Sequence, residues 1–209
     1  MLLSLLPVLA ACGKYDYSKH VSDERSDLFI AQTEEFTLTV ACVDREYPFN
    51  ADGVASTRTK TVEVVLAEAE LSGAEYEVYF LEDVPRGGDM SFRSVTGDYF
   101  YSRGTERFPE ESISLRVVKD GQPQDILATT VKNEHTLTTI EALEKATAAE
   151  QESLTRMTVD GVFRGEIHVR LLRRDTNYYY VGFVNEKGGT IALLLDGETG
   201  EVLARRTVG

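Results

Sequence analysis

Short runs of two-residue alternation, separated by glycine-bearing turns, are the strongest constraint that this chain places on its own fold. Phe36, Leu38 and Val40 alternate with Thr37 and Thr39, and Val62, Val64 and Leu66 follow a threonine-rich lead-in at 57–61. Tyr76, Val78 and Phe80 alternate with Glu75, Glu77 and Tyr79, and residues 98–102, 112–118 and 126–131 repeat the pattern. Side chains on a strand point alternately to opposite faces, so each run reads as a strand with one buried face. Gly53, Gly73, Pro85-Arg-Gly-Gly88, Gly97, Gly104 and Asp120-Gly121 lie between the runs as turn signals. Gly87-Gly88 and Gly188-Gly189 read as hairpin turns. Short strands at this spacing indicate an N-terminal antiparallel β-sandwich, Ig-like, over residues 28–132. Glu63, Glu68, Glu70, Glu75 and Glu77 fit its solvated faces.

Residues 133–209 change character. Thr138-Thr-Ile-Glu141 has the form of a capping box that opens a helix, with Ile140, Leu143, Ala146 and Thr147 on one face and Leu154 near the end, closing by Met157. Phe163, Gly165, Ile167, Val169 and Leu171 then alternate with Arg164, Glu166, His168 and Arg170, which places His168 on a polar, exposed strand face. Further strands follow at 178–184, 190–195 and 201–206, joined through Lys187-Gly188-Gly189 and Asp196-Gly-Glu-Thr-Gly200. The expected fold class is therefore β-rich α+β: a sandwich followed by a helix packed on an antiparallel sheet.

The N-terminus carries an address. Residues 2–10 are apolar, far short of the roughly 20 residues that span a bilayer. The run begins directly after Met1, with no Lys or Arg ahead of it. Leu9-Ala10-Ala11-Cys12, followed by Gly13, resembles the bacterial lipobox. That resemblance implies a signal peptide at 1–11, diacylglycerol on the Cys12 thiol, cleavage between Ala11 and Cys12, and an extracytoplasmic protein anchored to a membrane of the cell envelope. Residues 13–27 show no sustained period of 2 or 3.6, so 12–27 is expected to be a solvated tether about 20 Å in root-mean-square span. His20 is expected to be solvated within it. With Cys12 used for lipid, Cys42 is left as a small buried hydrophobe.

The helix with Glu141-Ala-Leu-Glu-Lys-Ala146, the tyrosine-rich strand, and the phrase Leu195-Asp-Gly-Glu-Thr-Gly-Glu-Val-Leu203 resemble the PepSY domain over residues 136–206. Gly197 stands where that family has a different small residue, and the strand at 162–173 is longer than the family's. The resemblance implies an extracytoplasmic accessory module that binds an envelope protein, peptide or glycan, and it implies no catalytic residue.

The chemistry-bearing residues point the same way. The net charge of −13 repels phosphate backbones, which argues against nucleic acid as a partner. His20, His135 and His168 are scattered, and no Gly-x-Ser-x-Gly elbow or glycine-rich phosphate loop is present. Histidine and cysteine do not cluster as zinc ligands do. No catalytic, cofactor or metal residue is assigned. The loop Asp44-Arg-Glu-Tyr-Pro-Phe-Asn-Ala-Asp-Gly53 is the exception in character: Tyr47, Phe49, Asn50 and Asp52 are candidate ligand-facing residues at a sandwich end. Its acids lack the spacing of a calcium loop, and its aromatics are expected to be buried. The expected function is a non-catalytic binding module. The alternative is an envelope hydrolase that uses carboxylates, which needs two of them to converge.

Overall fold

The structure, a computed structural model, describes residues 15–81 and 86–209. The signal peptide expected at 1–11 and Cys12 lie outside the described residues. A 3-10 turn at Tyr17–His20 leads into β1 (Val21–Gln32), β2 (Phe36–Glu46), β3 (Arg58–Glu68), β4 (Tyr76–Phe80) and β5 (Arg86–Asp89). Then come β6 (Ser91–Arg93), β7 (Asp98–Gly104), β8 (Ser112–Lys119) and β9 (Gln122–Thr130). Two helices follow, α1 (Thr139–Ala149) and α2 (Gln151–Arg156). A two-residue hairpin pair, β10 (Thr158–Val159) and β11 (Val162–Phe163), precedes β12 (Gly165–Arg173), β13 (Asn177–Asn185), β14 (Thr190–Asp196) and β15 (Val202–Val208).

One large sheet runs β15-β14-β13-β12-β1-β2-β3-β7-β6, and β9, β8, β4 and β5 continue from the far half of β1. Its pairings are antiparallel except one, β1 beside β12, which is parallel. β1 is the pivot. Its first half pairs with β12 through Val21 to Arg25, and its second half pairs with β9 through Phe29 and Ile30. β2 accompanies it along nearly its full length. The strand changes neighbour at a register shift between Arg25 and Asp27, where a bulge bends it from one layer to the other.

Two cores result, and they share strands. The first is sandwich-like and encloses Phe29, Leu38, Val40, Cys42, Val64, Leu66, Val78 and Leu115. The second lies between the helices and the β1-β12-β13-β14 face, with Leu143, Ala146, Leu154, Val169, Leu171, Tyr179 and Leu195. Alternate residues of β2 divide between them: Val40 and Cys42 face the first core, Ala41 and Val43 the second. The boundary expected at 132/133 thus separates sequence segments and not packing units, because β1 and β2 supply both.

The tether expected at 12–27 is corrected over its described part. The Tyr15 hydroxyl oxygen accepts the Phe163 amide at 3.0 Å. Val21, Ser22 and Asp23 are buried in the middle of the sheet. Strand formation here follows from pairing on both sides, which overrides the low strand propensity of Ser, Asp and Glu. Each carboxylate also has a partner: Arg170 for Asp23, Arg58 and Thr139 for Glu24, and Thr130 and Lys132 for Asp27. His20 is half-buried, with Tyr15 Oη at 2.8 Å and its ring against Phe163, so its expected solvation is corrected too.

The capping box forms as the sequence indicates. Thr138 Oγ1 accepts the Glu141 amide, and the Glu141 carboxylate accepts the Thr138 amide at 2.8 Å. α1 buries Ala142, Leu143, Ala146 and Thr147, while Ile140, expected on that face, is exposed. Asp196 accepts amides from Glu198 and Thr199 and closes the turn between β14 and β15. Gly197 is required there: a Cβ would stand 2.5 Å from the Asn177 carbonyl oxygen. Gly87 and Gly88, expected as a turn, are inside β5 and pair with Tyr79 and Val78.

Candidate functional site

The face of β1 and β12 opposite the helices carries Asp23, Arg25, Glu166, His168 and Arg170. This is the polar face that the alternation at 163–171 marks out, but it is not solvated. Glu166 is 0% exposed and His168 5%, which corrects the expectation of an exposed histidine. The segment 47–57 between β2 and β3 folds back over them. Phe49 lies 5.4 Å from the His168 ring and 5.4 Å from the Arg45 guanidinium. Gly53, at φ +86, seats the loop against the β13–β14 hairpin so closely that a Cβ would stand 2.5 Å from the Glu186 amide nitrogen.

Glu46, the last residue of β2, holds the loop at both ends. It is 4% exposed. Its Oε1 accepts the Asn50 amide at 3.3 Å, and its Oε2 accepts the Ser56 amide at 3.1 Å and the Ser56 hydroxyl at 2.7 Å. Asp52 caps the turn inside the loop by accepting the Val54 amide at 2.9 Å. The floor beneath is ionic: Arg170 pairs with Asp23, and Arg45 with Glu63.

Glu166 and His168 form the centre of this floor, with Oε1 and Nε2 3.0 Å apart. Burial pushes the Glu166 carboxyl up to about 7, and the negative charges of Glu46, Asp52 and Asp23 push the same way, against the nearby Ser22 hydroxyl. Burial, with Arg170 alongside, moves His168 down from its ordinary value. Both shifts favour a neutral pair that shares one proton. Glu166 Oε2, Ser22 Oγ and Arg25 Nε are buried here without a hydrogen bond of good geometry.

The sequence-derived candidates divide around this floor. Asn50 and Asp52 serve the loop's own structure. Tyr47 is 83% exposed and Phe49 37%, so the aromatics face solvent and the His168–Arg45 surface instead of the sandwich core, contrary to expectation. Asp44 to Glu46 belong to β2 and not to the loop. Sequence reasoning missed Glu46, Glu166 and His168 as a group. Cys42 is fully buried in the first core, and burial pushes its thiol up to about 12. No group of three or more His, Cys, Asp or Glu among the described residues has the arrangement of a metal site. Comparisons with protein-family models, curated proteins and solved structures find no match to this chain.

Proposed function

We propose that this protein is an extracytoplasmic, non-catalytic binding module, anchored to a membrane of the bacterial cell envelope by lipid on Cys12 and recognising an envelope protein, peptide or glycan through the 47–57 loop. The observation that carries the binding role is the loop's construction. Its ends are clamped by one buried carboxylate, while Tyr47 stands 83% exposed at its head. An exposed aromatic on a pre-ordered loop offers contact area with little ordering cost on binding. The lipobox resemblance supplies the anchor, and the Ig-like and PepSY-like resemblances of the two halves belong to the same proposal. The test is to immobilise the full chain in detergent and to screen envelope proteins and a glycan array. A partner retained by the wild type and lost with Tyr47→Ser supports the reading; binding unchanged by that substitution refutes the role of the loop.

The carboxylate-dependent hydrolase is kept as a second reading because of one observation. A carboxyl near neutrality beside other carboxylates is the setting of a general acid. Against it stands the complete burial of Glu166 beneath the loop. Hydrolysis of an envelope glycan or ester that disappears with Glu166→Gln would favour this reading over the binding module.

A further inference from the structure

The place where the chain enters the fold constrains how an anchored protein can stand on a membrane. Cys12 is three residues before Tyr15, and three residues span at most about 11 Å when fully extended. Tyr15 is already tied down. Its hydroxyl oxygen accepts the Phe163 amide at 3.0 Å, and its ring lies 4.8 Å from that of Tyr17, which meets Phe163 edge-on at 5.4 Å. A lipid on Cys12 therefore holds this corner of the domain close to the headgroups, in place of the clearance of about 20 Å expected of a tether at 12–27.

An apolar tip stands at the same corner. Phe163 belongs to β11, which pairs with β10 so that Thr158 is opposite Phe163 and Val159 opposite Val162. The turn between them, Asp160-Gly161, has φ of +50 and +77, the two positive values that a tight two-residue hairpin turn needs. Phe163 turns inward, to the core between the helices and the sheet. Val159 and Val162 turn outward and are 50% and 46% exposed. Single exposed valines are ordinary on a protein surface. Here two are directly opposed at a hairpin tip, one residue from the Tyr15 contact. Tyr15 and Tyr17 border them half-buried, and tyrosine suits the junction between the apolar and polar layers of a bilayer. The charges around the tip are mixed: Arg156 and Arg164 are exposed beside the hairpin, Asp160 lies in its turn, and Asp16 pairs with Lys19 at 3.4 Å.

We propose that the β10–β11 tip is a membrane-contact element: Val159 and Val162 rest in the interfacial layer of the bilayer, with Tyr15 and Tyr17 at headgroup level. This role presupposes the lipid on Cys12 that the proposed function assigns. Two half-exposed valines are too little apolar area to hold the domain unaided, whereas a diacylglycerol supplies the two acyl chains that stable anchoring takes. The lipid holds the protein and the hairpin orients it. Because the charges are mixed, the contact does not depend on anionic headgroups. The 47–57 loop covers the opposite face of the sheet, so it stays open to a partner. The far end of β1 points away from the membrane. There Ala31, Leu38, Leu66 and Tyr99 are level with one another across β1, β2, β3 and β7, roughly 30 Å along β1 from Val21, and the turn at Val95 lies beyond them.

The test uses the full chain, purified from membranes, checked by intact mass for diacylglycerol on Cys12, and reconstituted into phosphatidylcholine vesicles with or without brominated acyl chains. The chain has no tryptophan, so Val162→Trp introduces a single fluorophore at the tip. Val95→Trp places one at the far end, where Val95 is 98% exposed. Val159→Trp reads the same height as Val162→Trp from the cross-strand position, and circular dichroism checks that each variant is folded. Brominated lipid is expected to quench Val162→Trp and Val159→Trp by at least about a third, and Val95→Trp by less than about a tenth. Equal quenching at the two ends, or a lipidated protein in which neither tip variant is quenched, overturns the contact and leaves the anchor standing. An intact mass without diacylglycerol on Cys12 overturns the anchor and the contact together.

Discussion

Replacing Glu166 with glutamine removes a fully buried carboxyl whose ionisation the fold resists. Raising that carboxyl from its usual 4.5 to about 7 corresponds, at 1.36 kcal/mol per pH unit, to about 3 kcal/mol between the two protonation states. The folded protein holds the proton more tightly than the unfolded chain does. The contribution is therefore fully present below about pH 4.5 and is lost as pH rises through about 7. The glutamine side chain of Glu166→Gln keeps the shape and a hydrogen bond to His168 Nε2 but never ionises. The wild type and the variant should match within about 1 kcal/mol near pH 4, and the variant should be more stable by about 2–3 kcal/mol near pH 8. Urea unfolding followed by far-ultraviolet circular dichroism, at matched pH values, measures the difference. Titrating groups outside the Glu166–His168 pair act in both proteins and cancel in the comparison. Stabilities that run parallel over the whole pH range would refute the argument that Glu166 is buried near neutrality.

Three further outcomes follow from other parts of the structure. Gly53→Ala places a Cβ against the Glu186 backbone at a positive φ, so it should cost on the order of 1–3 kcal/mol and open 47–57 to limited proteolysis; an unchanged melting curve and digestion pattern contradict the seating of the loop. The Cys42 thiol, fully buried and pushed up to about 12, should ignore Ellman's reagent until the protein unfolds; prompt labelling of a native Cys12→Ser variant, in which Cys42 is the one remaining thiol, contradicts its place in the core. Thr138→Ala removes the hydroxyl cap of α1 and should destabilise by about 1 kcal/mol, read from the urea midpoint, with no loss counting against the cap.

Much of the strand order was legible because it rests on local alternation. Phe36 to Val40, Tyr76 to Phe80 and Ile167 to Leu171 each alternate, and each is a strand. The capping box at Thr138 is equally local. What was not legible depends on distant pairing. β1 begins with Val-Ser-Asp-Glu-Arg-Ser-Asp, in which charges occupy the positions that apolar residues hold elsewhere. It becomes a central strand because Arg170, Thr139 and Thr130, all more than 100 residues away, satisfy those charges. The same cause hid the site. Glu166 and His168 alternate with apolar residues, as on a solvated face, and the returning 47–57 loop sets Phe49 against His168. A signal was present in the loop itself: Gly53, where the backbone needs a positive φ and close approach, marks a segment pressed against something.

The proposal that this is a surface-tethered module is tested most directly by the intact mass of the native protein extracted from membranes in detergent. The account predicts a chain that begins at Cys12 and carries the added mass of a diacylglycerol group, together with release from membranes when Cys12→Ser is expressed. A native chain that still begins at Met1, an unmodified Cys12, or a Cys12→Ser variant that stays with the membrane would contradict it.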